Sequence, residues 1–200
     1  MQKIMFADNF KLTEKVKKNQ KTTTRRLVPD KLILKHGVNK HTLLQKIPDL
    51  LWDSPYKIGE TVAVAEPYRN CLDYIATLPE FEGYSRAELE AKFQEEAGWD
   101  NKMFVKAEYM PVRIKITDVQ IARLQEMNHE DCFKEGIVIK DKGFPISYGY
   151  EEIKDQWTTR QYWFSSPIEA FRSLFEKLSG KHTWEQNPLV YEYTFKQIEL

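Results

Sequence analysis

The chain has 200 residues, 42% hydrophobic and 13% aromatic, which is enough apolar material for a sizeable core and excludes a disordered or low-complexity protein. No stretch approaches the roughly 18 apolar residues of a membrane-spanning helix, and Met1 to Phe10 lacks the apolar run and cleavage site of a secretion signal. Two cysteines, Cys71 and Cys132, are too few for a disulfide framework, so a cytoplasmic, non-membrane, single-domain protein spanning 1–200 is expected.

In chain order, the mixed segment up to Phe10 reads as a strand, and Leu12 to Lys21 as a short basic helix or loop. Leu27-Val28-Pro29 is a short extended stretch ended by proline. Residues 36–56 are poorly patterned; Thr42 to Ile47 allows one helical turn before Pro48 interrupts it. Thr61 to Ala65 reads as a strand after the turn Lys57 to Glu60. Residues 69–107 read as an insertion that is acidic over 79–100 and carries a helix started by a Ser85/Glu88 capping box and stopped at Gly98.

Strands are expected again at Met103 to Glu108 and at Val112 to Ile121, where Val112, Ile114 and Ile116 alternate with Arg113, Lys115 and Thr117. Asn128 caps a short helix that runs through Cys132 to Glu135 and is closed by Gly136. Residues 140–163, aromatic and glycine-containing, read as a loop or hairpin. The clearest helix is 167–178: Ser166 caps it, Pro167 takes the first turn, Glu169 completes a box and Gly180 stops it. A last strand, Leu189 to Ile198, places Leu189, Tyr191, Tyr193 and Phe195 on one face. Many strands with few helices favour a mixed β-barrel or sheet with packed helices over a doubly wound fold.

The charges, 30 Lys and Arg against 30 Asp and Glu, cancel only in sum. Residues 1–40 hold 11 Lys and Arg against 3 Asp and Glu, a net of +8, and the remainder therefore carries −8. A basic face attracts phosphate-bearing partners, although such runs are also ordinary solvated surface. Other chemistries lack their residues. Gly180-Lys181 is followed by His182 with no earlier glycine at phosphate-loop spacing, and the four histidines and two cysteines lack zinc spacing, so neither metal nor cofactor is expected. His129 and Cys132 lie one helical turn apart, but a cysteine there reads better as a small apolar core residue than as a nucleophile.

The unusual string is Lys21-Thr22-Thr23-Thr24-Arg25-Arg26, which offers hydroxyls and cations together. It resembles the Lys-Thr-x-Thr-x-Arg signature of the ASCH domain, a PUA-like β-barrel family associated with RNA metabolism, with Asn19-Gln20 standing where phage and prophage members read Gly-Arg. Further blocks are similar to that family in the same order. They are Tyr56 to Val64 followed by Glu66, Met110 to Met127, Glu130 to Ile137, and Ala170 to Phe175 with Trp184 and Asn187 to Tyr191.

The resemblance implies an α+β fold with a PUA-like mixed β-barrel, packed helices and an inserted helical segment. It implies binding of RNA or a nucleotide in a basic cleft, with Thr22, Arg25, Arg26 and Glu66 as ligand-binding residues. One small bacterial branch hydrolyses the acetyl amide of N-acetylated cytidine, and its implicated residues carry over to Lys21, Thr24 and Glu135 as catalytic candidates. For that chemistry Lys21 would serve as base if burial or Arg25 and Arg26 lower its pKa, Glu135 would orient it or shuttle the proton, and Thr24 would position water or substrate. Tyr68, Trp157, Tyr162, Trp163 and Trp184 are candidates for stacking on a base, and core packing is the competing role of each. A third alternative is a phage protein-interaction module that contacts a basic partner through the acidic 79–100 segment.

Overall fold

The computed structural model describes residues 1–39, 41–140 and 145–198. The elements run β1 (Gln2–Ile4), α1 (Leu12–Lys17), β2 (Thr23–Leu27), α2 (Asp30–Lys35), α3 (Leu43–Trp52), β3 (Thr61–Val64), α4 (Leu72–Ile75) and α5 (Arg86–Gln94). They continue with β4 (Arg113–Arg123), α6 (His129–Lys134), β5 (Val138–Lys140), β6 (Ser147–Ile153), β7 (Thr159–Phe164), α7 (Pro167–Ser179), α8 (Thr183–Gln186) and β8 (Leu189–Ile198). No helix of the described residues is long and apolar enough to cross a membrane.

The architecture is α+β with two sheets. The larger has strand order β1-β3-β4-β8-β2, in which only β1 and β3 run parallel; the smaller, β5-β6-β7, is antiparallel. The described pairings leave β1 and β2 as the edges of the larger sheet. A side chain links the two edges, since the Arg26 guanidinium on β2 donates to the Met5 carbonyl just beyond β1. Beside that bridge the Phe6 ring lies 5.8 Å from Phe195 of β8.

Alternation explains the long strands. On β4, Ile114 and Ile116 are buried and Lys115 between them is exposed; on β8, Leu189, Tyr191, Tyr193 and Phe195 all face the core, as their spacing requires. Val190 is also fully buried, so that end of β8 is covered on both faces. Ser166 Oγ accepts from the Ile168 amide and Pro167 opens α7. Its Phe171, Leu174 and Phe175 stripe packs on the sheet. The capping boxes at Ser85/Glu88 and Asn128/Asp131 both form.

Several expectations are corrected. The first strand ends at Ile4, and Asp8–Phe10 is a 3-10 turn. The extended stretch around Leu27 begins four residues earlier, so Thr23 to Arg26 lie on a strand. Pro48 sits inside the ten-residue α3 without ending it. The helix is anchored by the fully buried Leu50, whose carbonyl accepts from the Tyr191 hydroxyl at 2.9 Å, and this packing outweighs the one amide that proline lacks.

Met103 to Glu108 forms no strand. Side chains satisfy its backbone instead: Lys3 Nζ donates to the Met103 and Val105 carbonyls, and the Lys106 amide donates to the Tyr68 hydroxyl. Helix α5 stops at Gln94, ahead of Gly98, whose carbonyl is taken by the Tyr68 amide. Glu169 accepts from the Ser165 hydroxyl rather than completing a box on Ser166. Residues 147–164 form the expected hairpin; Asp141 to Phe144 lie outside the described residues.

The insertion builds a second buried cluster in which Tyr68, Phe81, Phe93 and Tyr109 pack edge to face or tilted on one another. Its acidic residues Glu80, Glu82, Glu88, Glu90, Glu95, Glu96 and Asp100 are all exposed.

Candidate functional site

The signature string runs from the loop after α1 into β2. Its entry is held by backbone: the Lys21 amide donates to the Lys15 carbonyl, the Thr22 amide to the Lys134 carbonyl at the end of α6, and the Phe195 amide to the Thr22 carbonyl. These bonds dock the string between β8 and α6. They bring Lys21 beside Glu135, the C-cap of α6, although 114 residues separate the two.

Lys21 Nζ lies 2.6 Å from Glu135 Oε2 and 2.9 Å from the Glu135 carbonyl oxygen. Both residues are at most 4% exposed. The other carboxylate oxygen of Glu135 faces Arg25 Nη1 at 3.4 Å. Arg25 in turn pairs with Glu192 of β8 at 2.6 Å and with Asp131 of α6 at 3.5 Å. Burial holds the Lys21 ammonium below the usual lysine range; Glu135 opposes that effect, and Arg26 and Arg25 reinforce it. Burial likewise raises the Glu192 carboxyl, against the pull of Arg25.

Lys21, Thr24, Arg25, Arg26 and Glu135 line one cleft of about 400 Å³ between β2, α6 and α7. Its apolar wall comes from Phe6 and from Phe171, Leu174, Phe175 and Leu178 of α7, so the helix stripe read as core serves also as a cleft wall. The Lys21 ammonium and the Arg26 guanidinium approach the Phe6 ring to 5.8 and 5.6 Å. The buried Arg25 Nε and Thr23 Oγ1 have no hydrogen-bond partner among the described residues, so β2 carries two polar groups still open to a partner.

Two expected ligand residues lie elsewhere. Thr22 does not line the cleft, because its backbone is consumed in docking the string. Glu66 sits past the end of β3, pairs with Lys17 at 3.0 Å and keeps one buried, unpartnered carboxylate oxygen. None of the aromatics singled out from sequence reaches the cleft. Tyr68 belongs to the insertion's core, Trp157 is 87% exposed, Tyr162 lies over Lys177, Trp163 lies under Lys140 and Trp184 packs on Phe171.

The insertion contributes no cleft-lining residue. Cys132 is buried, its thiol pushed up to about 12 by burial, which fits the core role and removes the His129 pairing as a nucleophile. Among the described residues no group of three or more His, Cys, Asp and Glu is arranged to hold a metal ion.

Sequence reasoning missed Asp131, Glu192 and Lys15. Asp131, three residues after Asn128, uses its carboxylate for both the helix cap and Arg25. Lys15 is 8% exposed and donates to the Gly136 carbonyl at 2.6 Å, so Lys15 and Lys21 tie down two consecutive carbonyls of one turn. Gly136 has φ +100°, and a side chain there would begin 3.2 Å from Lys15 Cδ, so glycine lets the turn meet both lysines.

Burial, with repulsion from Lys21, pushes Lys15 down to about 8. An unfolded chain keeps this amine protonated up to about 10.4. Below pH 8 the cost of burying the charge is fully present, and it is relieved as pH rises toward 10.5. Relative to Lys15→Met, the wild-type protein should therefore gain stability between pH 8 and 10.5, on the order of 3 kcal/mol. Urea midpoints across that range would show it, and parallel curves would refute it.

The N-terminal cations are largely committed within the chain. Lys11 pairs with Glu151, Lys17 with Glu66, Lys21 with Glu135, Arg25 with three acids and Lys35 with Asp53. The +8 segment thus meets much of its countercharge inside the fold. Comparison with protein-family models, with curated proteins and with solved structures finds no match for this chain.

Proposed function

We propose that this is an ASCH-type protein of PUA-like fold whose cleft holds a nucleoside-sized ligand by its base. The observation that carries the reading is the convergence of Lys21, Thr24 and Glu135 on one cleft, with Lys21 and Glu135 114 residues apart in the chain. The Arg26 bridge from β2 to the Met5 carbonyl just beyond β1 is the link between the sheet's edges that supports a PUA-like barrel. The charge balance favours a small neutral group over a polyanion at the cleft floor, because Lys21 and Arg25 already face Glu135, Glu192 and Asp131. The one donor of Arg25 left unpartnered among the described residues, its Nε, suits a carbonyl oxygen, and the phenylalanine wall suits a planar ring. Calorimetric titration with cytidine and with N4-acetylcytidine tests this. Binding is expected, and it should be lost in Thr24→Val and Glu135→Gln; a wild-type protein that takes neither compound refutes the reading.

The contact of Lys21 with Glu135 favours a second reading, an amidohydrolase. Lys21 would take a proton as water adds to the acetyl carbonyl carbon. Glu135 would pass it to the nitrogen that leaves as the C–N bond breaks, yielding acetate and cytidine. Thr24 would position the water, and Arg25 would offset charge on the carbonyl oxygen. A lysine held below its ordinary range by burial is suited to that work. Acetate release from N4-acetylcytidine should fall at least about 100-fold in Lys21→Ala. Equal turnover by that variant, or none by the wild type, removes the hydrolase reading and leaves binding standing.

A further inference from the structure

The cleft has a neighbour. A groove of about 630 Å³ lies beside it, with Leu27 of β2 and Ser179 at the end of α7 lining both hollows, so a two-residue ridge separates them. The two differ in electrical character. In the cleft the buried cations face carboxylates. In the groove, Arg123 at the end of β4 and Lys181 after α7 have no carboxylate within ion-pair distance among the described residues, and Asp30 is the one acid on the lining.

Arg123 is half-buried and its Nη1 donates to the Asn187 carbonyl at 3.2 Å, which fixes the guanidinium against the wall and leaves its other donors free. Asn187 is itself held: its side chain accepts from the Gln125 amide at 2.9 Å, and Gln125 Nε2 donates to the Trp184 carbonyl at 2.6 Å. Arg26, also on the cleft lining, is exposed and its described hydrogen bond goes to a carbonyl, so it too has no described acid partner.

We infer that the groove takes a phosphate ester joined to the nucleoside in the cleft, so that the protein's ligand is a nucleotide rather than a free nucleoside. The base enters the charge-balanced cleft, the chain crosses the ridge of Leu27 and Ser179, and Arg123 and Lys181 receive the phosphate. A planar guanidinium held at a wall offers paired donors to phosphate oxygens, and a mobile ammonium adds a point charge. This rests on the cleft reading proposed above and names its ligand class.

Titrations of the whole protein with cytidine, cytidine 5′-monophosphate and a trinucleotide with central cytidine separate the two ideas. The wild-type protein should bind the monophosphate about tenfold more tightly than cytidine at low salt, with the margin shrinking as salt is raised. In Arg123→Gln/Lys181→Gln the ratio should fall to under about twofold. The ratio is read within one preparation, and Lys181→Gln alone, at an exposed position, should narrow it without touching the fold.

Equal wild-type affinity for cytidine and the monophosphate, or a ratio that survives the double variant, overturns the groove and leaves the cleft reading intact. Failure of all three probes overturns the groove, and the cleft reading falls with it if N4-acetylcytidine is not bound either. A trinucleotide that binds more tightly than the monophosphate identifies RNA as the source of the phosphate ester; one that binds no better identifies the mononucleotide.

Discussion

Replacing Glu135 with alanine should cost about 3–5 kcal/mol of stability and abolish ligand binding, the largest effect expected of any single change at the site. Glu135 is 4% exposed and serves two cations, Lys21 at 2.6 Å and Arg25 at 3.4 Å. Its removal leaves the Lys21 ammonium with only a backbone carbonyl, in surroundings where unpaired charge is strongly disfavoured. The converse change, Lys21→Met, should cost less, because Glu135 keeps Arg25 and the methionine refills the apolar space beside Phe6.

The double variant Lys21→Met/Glu135→Leu should be more stable than Glu135→Ala, since an apolar pair replaces a buried ion pair at little cost once both charges are gone. It should still bind no ligand. Urea unfolding of the four proteins checks the order; a Lys21→Met protein less stable than Glu135→Ala would show that the pair is not organised around the glutamate.

Gly149→Ala is expected to cost about 3 kcal/mol or more, through overlap rather than charge. Gly149 lies opposite Trp163 in the β6–β7 ladder, and a Cβ there would fall 1.9 Å from the Tyr162 carbonyl oxygen and 2.8 Å from Trp163 Cε3. The obstruction is backbone, which cannot swing aside as a side-chain tip can, so the strands must part. The damage reaches the main core because Tyr150, the next residue, is fully buried and packs on Phe10 at 5.8 Å and on Tyr162 at 5.1 Å. A thermal midpoint within a few degrees of wild type would contradict this.

Periodicity made β4, β8 and α7 legible, because each buries one face of a regular element and its apolar residues must recur at 2 or 3.6. The same logic cut α3 short at one turn, since a proline argues for a break, whereas the helix runs on to Trp52 with Leu50 buried and its carbonyl bonded to Tyr191. It also invented a strand at Met103 to Glu108, whose backbone is satisfied by Lys3 and Tyr68 from far along the chain.

At the site, the resemblance to the ASCH signature and its accompanying blocks, rather than residue types alone, singles out Lys21, Thr24 and Glu135, and the three do line one cleft. The resemblance did not reveal that Arg25 is shared among Glu135, Glu192 and Asp131, since that depends on strand register and on the seating of α6. Thr22 illustrates the limit. It belongs to the string by sequence, but its backbone rather than its side chain does the work.

The position of β8 has a kinetic consequence. It lies between β4 and β2 and is the one strand paired with β2 among the described residues, and the ion pair from Arg25 to Glu192 across that pairing joins residues 167 apart. Closing so long a loop costs entropy before the contact repays it, and such topologies fold slowly. Until β8 arrives, the signature strand has no partner to hold Thr24, Arg25 and Arg26 in line along the cleft. Local helices such as α5 and α7 should therefore gain protection from hydrogen exchange early in refolding, while the amides of Thr23 to Arg26 become protected last, together with the ability to bind.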